Sequence, residues 1–192
     1  IRAVLGESKL NYMGYSYGTF LGTTYASVFP QRVGRFVLDG AIDPTVSDED
    51  QSANQLKAFD QALKNYLNHC LTIDKKCPFT GSVDSSMKRI TAWFKQLETK
   101  AINTTMSGRK LTISGGITGL IMTLYSEEYW QYATRGFTEA FNGDGTMFLQ
   151  LADFYNDRKA DGTYGSNQLE ANFAVSCLDG RSNPSPKAMK AQ

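Results

Sequence analysis

The sequence predicts an α/β fold, a piece of parallel sheet with its helices, joined to a mainly helical insertion. Three observations predict it. Residues 1–44 alternate short buried-strand patterns with helical ones, as β–α–β units do. Residues 47 to about 157 carry apolar side chains three and four apart almost without interruption. Residues 158–192 loosen into loop and end in RSNPSPKAMKAQ, a polar tail broken by prolines. The organisation expected is a core piece over 1–46, a helical segment over 47–170 and a return toward the core over 171–192.

Taken in order, IRAVLG reads as the last turn of a helix, LNYMGY as a short strand, YGTFLGTTYASVF as a helix and RFVLDG as a second strand. Pro30 stops the helix, and Asp43-Pro44 followed by TVSDEDQ marks the exit from this layer. Parallel strands need cover on both faces and neighbours at both edges, yet only two strands are visible. Together with a first residue that is Ile1 rather than Met, this predicts an internal piece of a larger protein.

In the helical segment, Leu56, Phe59, Leu63, Tyr66 and Cys70 form one stripe, and Val83, Met87, Ile90, Phe94, Leu97 and Ala101 form another. These stripes, Trp93 and the aromatics of EEYWQYATRGF are read as packing faces. MSGRKLTIS suggests a small hairpin around Ser107-Gly108, after which GGITGLIMTLY restarts helix. ANFAVSCLDG reads as a short apolar strand or helix heading back to a core.

Twenty basic and 19 acidic residues are scattered along 192 positions, a net charge of +1, so neither nucleic acid nor an anionic membrane is an expected partner. No run of 18 apolar residues exists, and the first residues lack the layout of a signal peptide. Cys70 and Cys77 are close in HCLTIDKKCPF, while Cys177 is distant. A disulfide between the first two is the preferred reading and would stabilise by roughly 2 kcal/mol. Two ordinary thiols are the alternative. Metal binding is disfavoured, because His69 is adjacent to Cys70 in sequence and no second cysteine pair completes a zinc set. A disulfide would place the protein outside the cytoplasm.

The chemistry sits in NYMGYSYGTFLG, residues 11–22. Gly14, Ser16 and Gly18 make the G-x-S-x-G pattern of a nucleophile elbow, in which a strand ends, the serine occupies a strained turn and a helix starts at once. The predicted strand, the immediate helix and the second buried strand are the context that pattern requires. Gly18, Gly22 and Ala26 then give the helix a flat side for close packing on the sheet. Ser16 is therefore the candidate nucleophile, with the backbone N–H of Tyr17 as half of an oxyanion hole. The only histidine, His69, lies in a helical stripe and is read as a helix residue rather than a catalytic base. Asp39, at the end of VLDG, is read as a structural turn aspartate in preference to the catalytic acid. Base and acid are expected outside these residues.

The stretch KLNYMGYSYGTFLGTTYASVFPQRVGRFVLDGAIDP resembles the prolyl-aminopeptidase and tripeptidyl-aminopeptidase branch of secreted actinobacterial α/β-hydrolases, through GYSYGT, the FP-x-RVGR link and VLDG-x-x-DP. AVSCLDG is similar to that branch's return segment. The resemblance implies an α/β-hydrolase core with an inserted helical cap, and an extracellular serine aminopeptidase that forms an acyl-enzyme on Ser16 and takes peptides with a free N-terminus. It implies that Cys177 pairs with a downstream cysteine and that Asp179 is a candidate anchor for the substrate's amino group. No cofactor and no metal are implied. An esterase or lipase of the same fold, and a non-catalytic relative using its cap as a binding surface, are the alternatives.

Overall fold

The computed structural model describes residues 1–180, which form two compact units, residues 1–53 and residues 54–180. In the first, Leu10–Tyr15 (β1) runs into Tyr17–Val28 (α1) with one residue between them, and Val33–Asp39 (β2) returns parallel to β1. Pro30 opens a single 3₁₀ turn, Pro30–Arg32, that separates α1 from β2. IRAVLG makes a single turn, with the Leu5 N–H donating to the Ile1 carbonyl. Pairing of Tyr12 with Phe36, Met13 with Val37 and Gly14 with Leu38 sets the register, after an irregularity between Leu10 and Tyr12.

Alternation along the strands sorts the side chains into two faces. Tyr12, Gly14, Phe36 and Leu38 are wholly or partly buried on the α1 side, where the Tyr12 and Phe36 rings meet at 5.4 Å. On the other face Met13, Tyr15 and Val37 are 58%, 60% and 55% exposed. The fully buried residues of this unit are Gly14, Thr19 and Gly22, none of them a large apolar side chain.

The second unit holds the hydrophobic core. Its helices are most of Asp48–Thr72 (α2), then Val83–Thr99 (α3), Ile113–Leu124 (α4), Trp130–Phe141 (α5), Thr146–Tyr155 (α6) and Gln168–Asp179 (α7). A two-residue antiparallel ladder, Ile102–Asn103 (β3) with Lys110–Leu111 (β4), makes the hairpin expected around Ser107-Gly108. Phe137 is central: its ring lies 5.1 Å from Phe79, 5.8 Å from Trp93 and 5.0 Å from Phe148, with edge-to-face geometry in each case. Helix α4 crosses α6 so closely that Gly119 leaves no room for a side chain against the Phe148 backbone. Ser82 caps α3 in a reciprocal box with Ser85, and Thr112 caps α4. Arg109, beside the hairpin, grips Asp153 of α6 through two hydrogen bonds of 2.5 and 2.8 Å.

Some expectations need adjusting. The buried stripe of α2 starts at Leu63 and continues through Tyr66, Leu67 and Cys70, whereas Leu56 is 67% exposed. In α3 the buried line is Ser86, Ile90, Trp93 and Leu97; Phe94 is only partly buried, and Ala101 lies past the helix end. Steps of four and then three keep pace with 3.6 residues per turn, so from Ile90 the line reaches Trp93. The segment read as strand or helix is helix α7, which has no buried residue. The rest of the expected return, residues 181–192, lies outside the described residues.

Cys70 and Cys77 are joined as a disulfide, with Cα atoms 5.2 Å apart. The loop it closes is tied to α5, since the Asp74 carboxylate accepts from the Thr134 hydroxyl at 2.9 Å and that hydroxyl meets the buried Tyr66 hydroxyl at 3.2 Å. Burial pushes the Tyr66 phenol well above its ordinary range. Among the described residues no helix is long and apolar enough to cross a membrane.

Candidate active site

Strand β1 ends at Tyr15 and helix α1 begins at Tyr17, which leaves Ser16 alone to turn the chain. It does so at φ 48°, ψ −117°, one of two positive-φ non-glycine residues among those described. A serine in that region costs of order 1–3 kcal/mol and persists only where its surroundings over-determine it. Here they do. The Ser16 N–H donates to the Asp39 carbonyl at 2.9 Å, and the Ser16 carbonyl accepts from the Thr19 N–H at 2.9 Å and the Thr19 hydroxyl at 2.6 Å.

Ser16 is also the N-cap of α1, a position where a serine ordinarily folds its hydroxyl back onto the helix N–H groups. Its side chain makes no such bond. The residue is exposed, so Oγ stands at the positive end of a twelve-residue helix.

The flanking glycines permit the turn. A Cβ on Gly14 would lie 2.6 Å from both the carbon and the oxygen of the Gly18 carbonyl, so strand and helix touch through backbone there. The Tyr12 hydroxyl closes the same contact by donating to the Gly18 carbonyl at 2.7 Å. Together these contacts fix where α1 starts above β1, and hence where the serine sits.

Asp39 contributes its carbonyl to the elbow through the bond to Ser16. Two residues that the sequence reading did not single out, Thr19 and Ile42, complete the support: the Ile42 N–H donates to the Thr19 hydroxyl at 2.8 Å. Only the threonine at the third position after the serine carried a signal, since a hydroxyl there can reach back to a helix-start carbonyl. Ile42 carried none.

The remaining candidates lie in the second unit. His69 is in the last turn of α2, its ring 5.1 Å from that of Trp130. It borders a cavity of about 840 Å³ that also has Asp74, Lys75, Arg135 and Glu139 in its wall. Asp179 is the last residue of α7. Cys177, two residues before it, is an exposed free cysteine. Among the described residues no group of three or more His, Cys, Asp or Glu side chains could hold a metal ion. Residues 1–53 contain no histidine.

A strained serine between a parallel strand and a helix, with a second parallel strand feeding its backbone a carbonyl, defines an elbow of the α/β-hydrolase type. Residues 1–82 match the alpha/beta hydrolase fold family, and the chain is of that fold. Serine protease Hip1 of Mycobacterium tuberculosis is 37% identical over 185 residues, covering 93% of this chain and 35% of that protein. Carboxylesterase B of the same species is 38% identical over 164 residues, 85% of this chain and 31% of that protein. Tripeptidyl aminopeptidase of Streptomyces lividans is 56% identical over 45 residues, 23% of this chain and 8% of that protein. This chain thus spans about a third of the length of these two mycobacterial relatives.

Proposed function

We propose that the chain carries the nucleophile of a serine hydrolase, and that the hydrolase is an aminopeptidase releasing short pieces from the free N-terminus of a peptide. The observation that carries the nucleophile is the positive φ of Ser16 at the strand-to-helix junction, a strain that a merely structural turn would relieve with glycine. In this reading Ser16 Oγ attacks the scissile carbonyl carbon as its proton passes to a histidine supplied from outside these 192 residues. The carbonyl oxygen becomes an oxyanion held by the Tyr17 N–H, and as the tetrahedral intermediate collapses the histidinium gives that proton to the departing amine, leaving an acyl ester on Ser16 and a neutral histidine. Water, deprotonated by the same histidine, then hydrolyses that ester.

By the resemblance, the helical segment is read as the cap of the enzyme, and Asp179 is a candidate partner for the substrate's ammonium group. Names of the relatives support the peptidase class, since one is a serine protease and another a tripeptidyl aminopeptidase. A second reading, esterase, is favoured by the similarity to a carboxylesterase. The disulfide supports an extracellular or cell-envelope location.

The test is to label the whole protein with a fluorophosphonate and map the adduct, then compare tripeptidyl and aminoacyl amides with a short-chain ester, using Ser16→Ala as control. The adduct is expected on Ser16, and turnover of amides with a free N-terminus is expected to exceed that of their N-acetylated forms. Labelling elsewhere, or equal labelling of Ser16→Ala, refutes the nucleophile. Indifference to N-acetylation refutes the aminopeptidase and leaves the esterase reading. The 192-residue chain by itself is expected to show no serine-dependent turnover, because loss of a triad member costs on the order of 10⁴–10⁶ in rate.

A further inference from the structure

We infer that Thr19 is a positioning residue that aims the oxyanion donor; the inference rests on the reading of Ser16 as nucleophile. Thr19 is completely buried, although its hydroxyl is polar. That hydroxyl donates to the Ser16 carbonyl at 2.6 Å and accepts from the Ile42 N–H at 2.8 Å, a bond that spans 23 residues. A threonine three positions into a helix commonly returns its hydroxyl to the first carbonyl as a purely local motif. The bond from Ile42 is not local. It ties the helix start to the segment that leaves β2.

What this fixes follows from peptide geometry. The φ and ψ of Ser16 describe the rotation between two rigid planes, the peptide joining residues 15 and 16 and the peptide joining 16 and 17. The first plane is held through the Ser16 N–H on the Asp39 carbonyl. The second is held through the Ser16 carbonyl on the Thr19 hydroxyl, which is itself held by Ile42. Both planes are therefore anchored to residues 39–42, one directly and one through Thr19. The Ser16 carbonyl and the Tyr17 N–H share the second plane and point in opposite directions. Fixing that carbonyl fixes the direction of the N–H that faces the oxyanion.

Replacing the hydroxyl with a methyl group leaves the Ile42 N–H without its acceptor and removes the tie between the second plane and residues 39–42. The plane is then free to swing toward an ordinary φ. Tyr17 N–H misalignment weakens binding of the oxyanion, which exists only in the transition state, so kcat is expected to fall while KM is spared. Complete loss of one oxyanion donor costs 10²–10³, so a misaligned donor is expected to cost about ten- to a hundredfold in kcat.

The experiment compares Thr19→Val, Thr19→Ser and Thr19→Ala in the whole enzyme, with Ser16→Ala alongside, reading kcat, KM and the rate of fluorophosphonate labelling. Val against wild type and Ala against Ser are two pairs that each differ by the hydroxyl, so a Val variant that fails to fold leaves the second pair to decide. The expected result is a drop of about ten- to a hundredfold in kcat and in labelling rate for Val and Ala, KM within about threefold, and Ser within about threefold of wild type. A Ser variant no faster than Ala, or a Val variant as fast as wild type, overturns the inference while Ser16→Ala remains dead. If Ser16→Ala retains turnover, the nucleophile reading falls and this inference falls with it.

Discussion

Gly14→Ala and Gly22→Ala add the same methyl group to the same strand–helix contact, and the structure assigns them opposite outcomes. At Gly14 the new Cβ lies 2.6 Å from the carbon and oxygen of the Gly18 carbonyl, about 0.8 Å short of ordinary contact, and its obstacle is backbone that cannot rotate away. Relief requires α1 to lift from β1. A lift of that size takes the Tyr12 hydroxyl from 2.7 Å to the edge of hydrogen-bonding distance from the Gly18 carbonyl. Overpacking of this kind costs about 1–3 kcal/mol, and a lost hydrogen bond adds about 1. At Gly22 the obstacles are the Leu38 Cδ2 methyl and the edge of the Tyr12 ring, both at 2.8 Å; they are side-chain atoms, and about 0.6 Å of movement clears them. Against the cost of that movement stands the gain of about 0.8–1.0 kcal/mol on replacing glycine by alanine inside a helix. Gly14→Ala is expected to lose at least tenfold in fluorophosphonate labelling of Ser16 and to melt earlier, with Gly22→Ala within about 1 kcal/mol of wild type. The assay is labelling rate plus chemical denaturation of the whole protein. Equal labelling and equal stability for the Gly14 and Gly22 variants would refute the argument that the backbone contact sets the elbow.

Three further outcomes concern the helical unit. Breaking the Cys70–Cys77 bond by substituting both cysteines with alanine releases a loop spanning seven positions and is expected to cost about 2.5 kcal/mol in denaturant unfolding, as loop-closure entropy predicts. Thr134→Val severs the chain of hydroxyls from Asp74 to Tyr66 and strands a phenol inside the core; the expected loss is about 1–3 kcal/mol, abolished when Tyr66→Phe is added. The Thr146 hydroxyl and N–H hold the Asp144 carboxyl below its ordinary 3.8, so its contribution is complete above that value and is lost as pH falls through the lower folded value. The stability difference between wild type and Asp144→Asn, measured by urea unfolding, should therefore be constant from pH 5 to 7 and shrink at a pH below 3.8.

The elbow was legible because local rules and tertiary context agree at Ser16. An apolar alternation ends at Tyr15, small residues recur at 14, 18 and 22, and Pro30 closes the helix, so strand, turn and helix are each specified within a few residues. The disulfide was legible for the same reason, its partners being seven apart. Thr19 escaped notice because its role depends on Ile42, and nothing in DGAID signals a donor aimed back at α1. The α2 stripe was extended too far, to Leu56, because periodicity records which residues could face a core and not where the core stops. A repeated device was also missed: Asp43 with Thr45, Asp144 with Thr146 and Asp161 with Thr163 each place a threonine N–H and hydroxyl on one carboxylate oxygen. Asp-x-Thr is visible in any sequence, yet it reads as generic loop polarity until the turn is seen.

The two units differ in what holds them, and that difference bears on how the serine is kept strained. Residues 54–180 surround Phe137, Phe148 and Tyr66 with apolar side chains that are fully buried, enough to sustain a core. Residues 1–53 bury no large side chain completely, and Met13, Tyr15 and Val37 are exposed on one face of the β1–β2 sheet. Strain at Ser16 of order 1–3 kcal/mol has to be offset by neighbours, and in this unit those neighbours are hydrogen bonds: Ser16 to Asp39, Thr19 to Ser16, Ile42 to Thr19 and Tyr12 to Gly18. Each contributes about 1 kcal/mol, and less where water competes. The elbow's geometry is thus set by directional bonds, while its persistence depends on shielding those bonds from solvent. Covering the Met13–Tyr15–Val37 face would stabilise the unit by about 25 cal/mol for each Å² of apolar surface removed from water. The serine's reactivity and the sheet's need for further cover are in this sense one physical requirement.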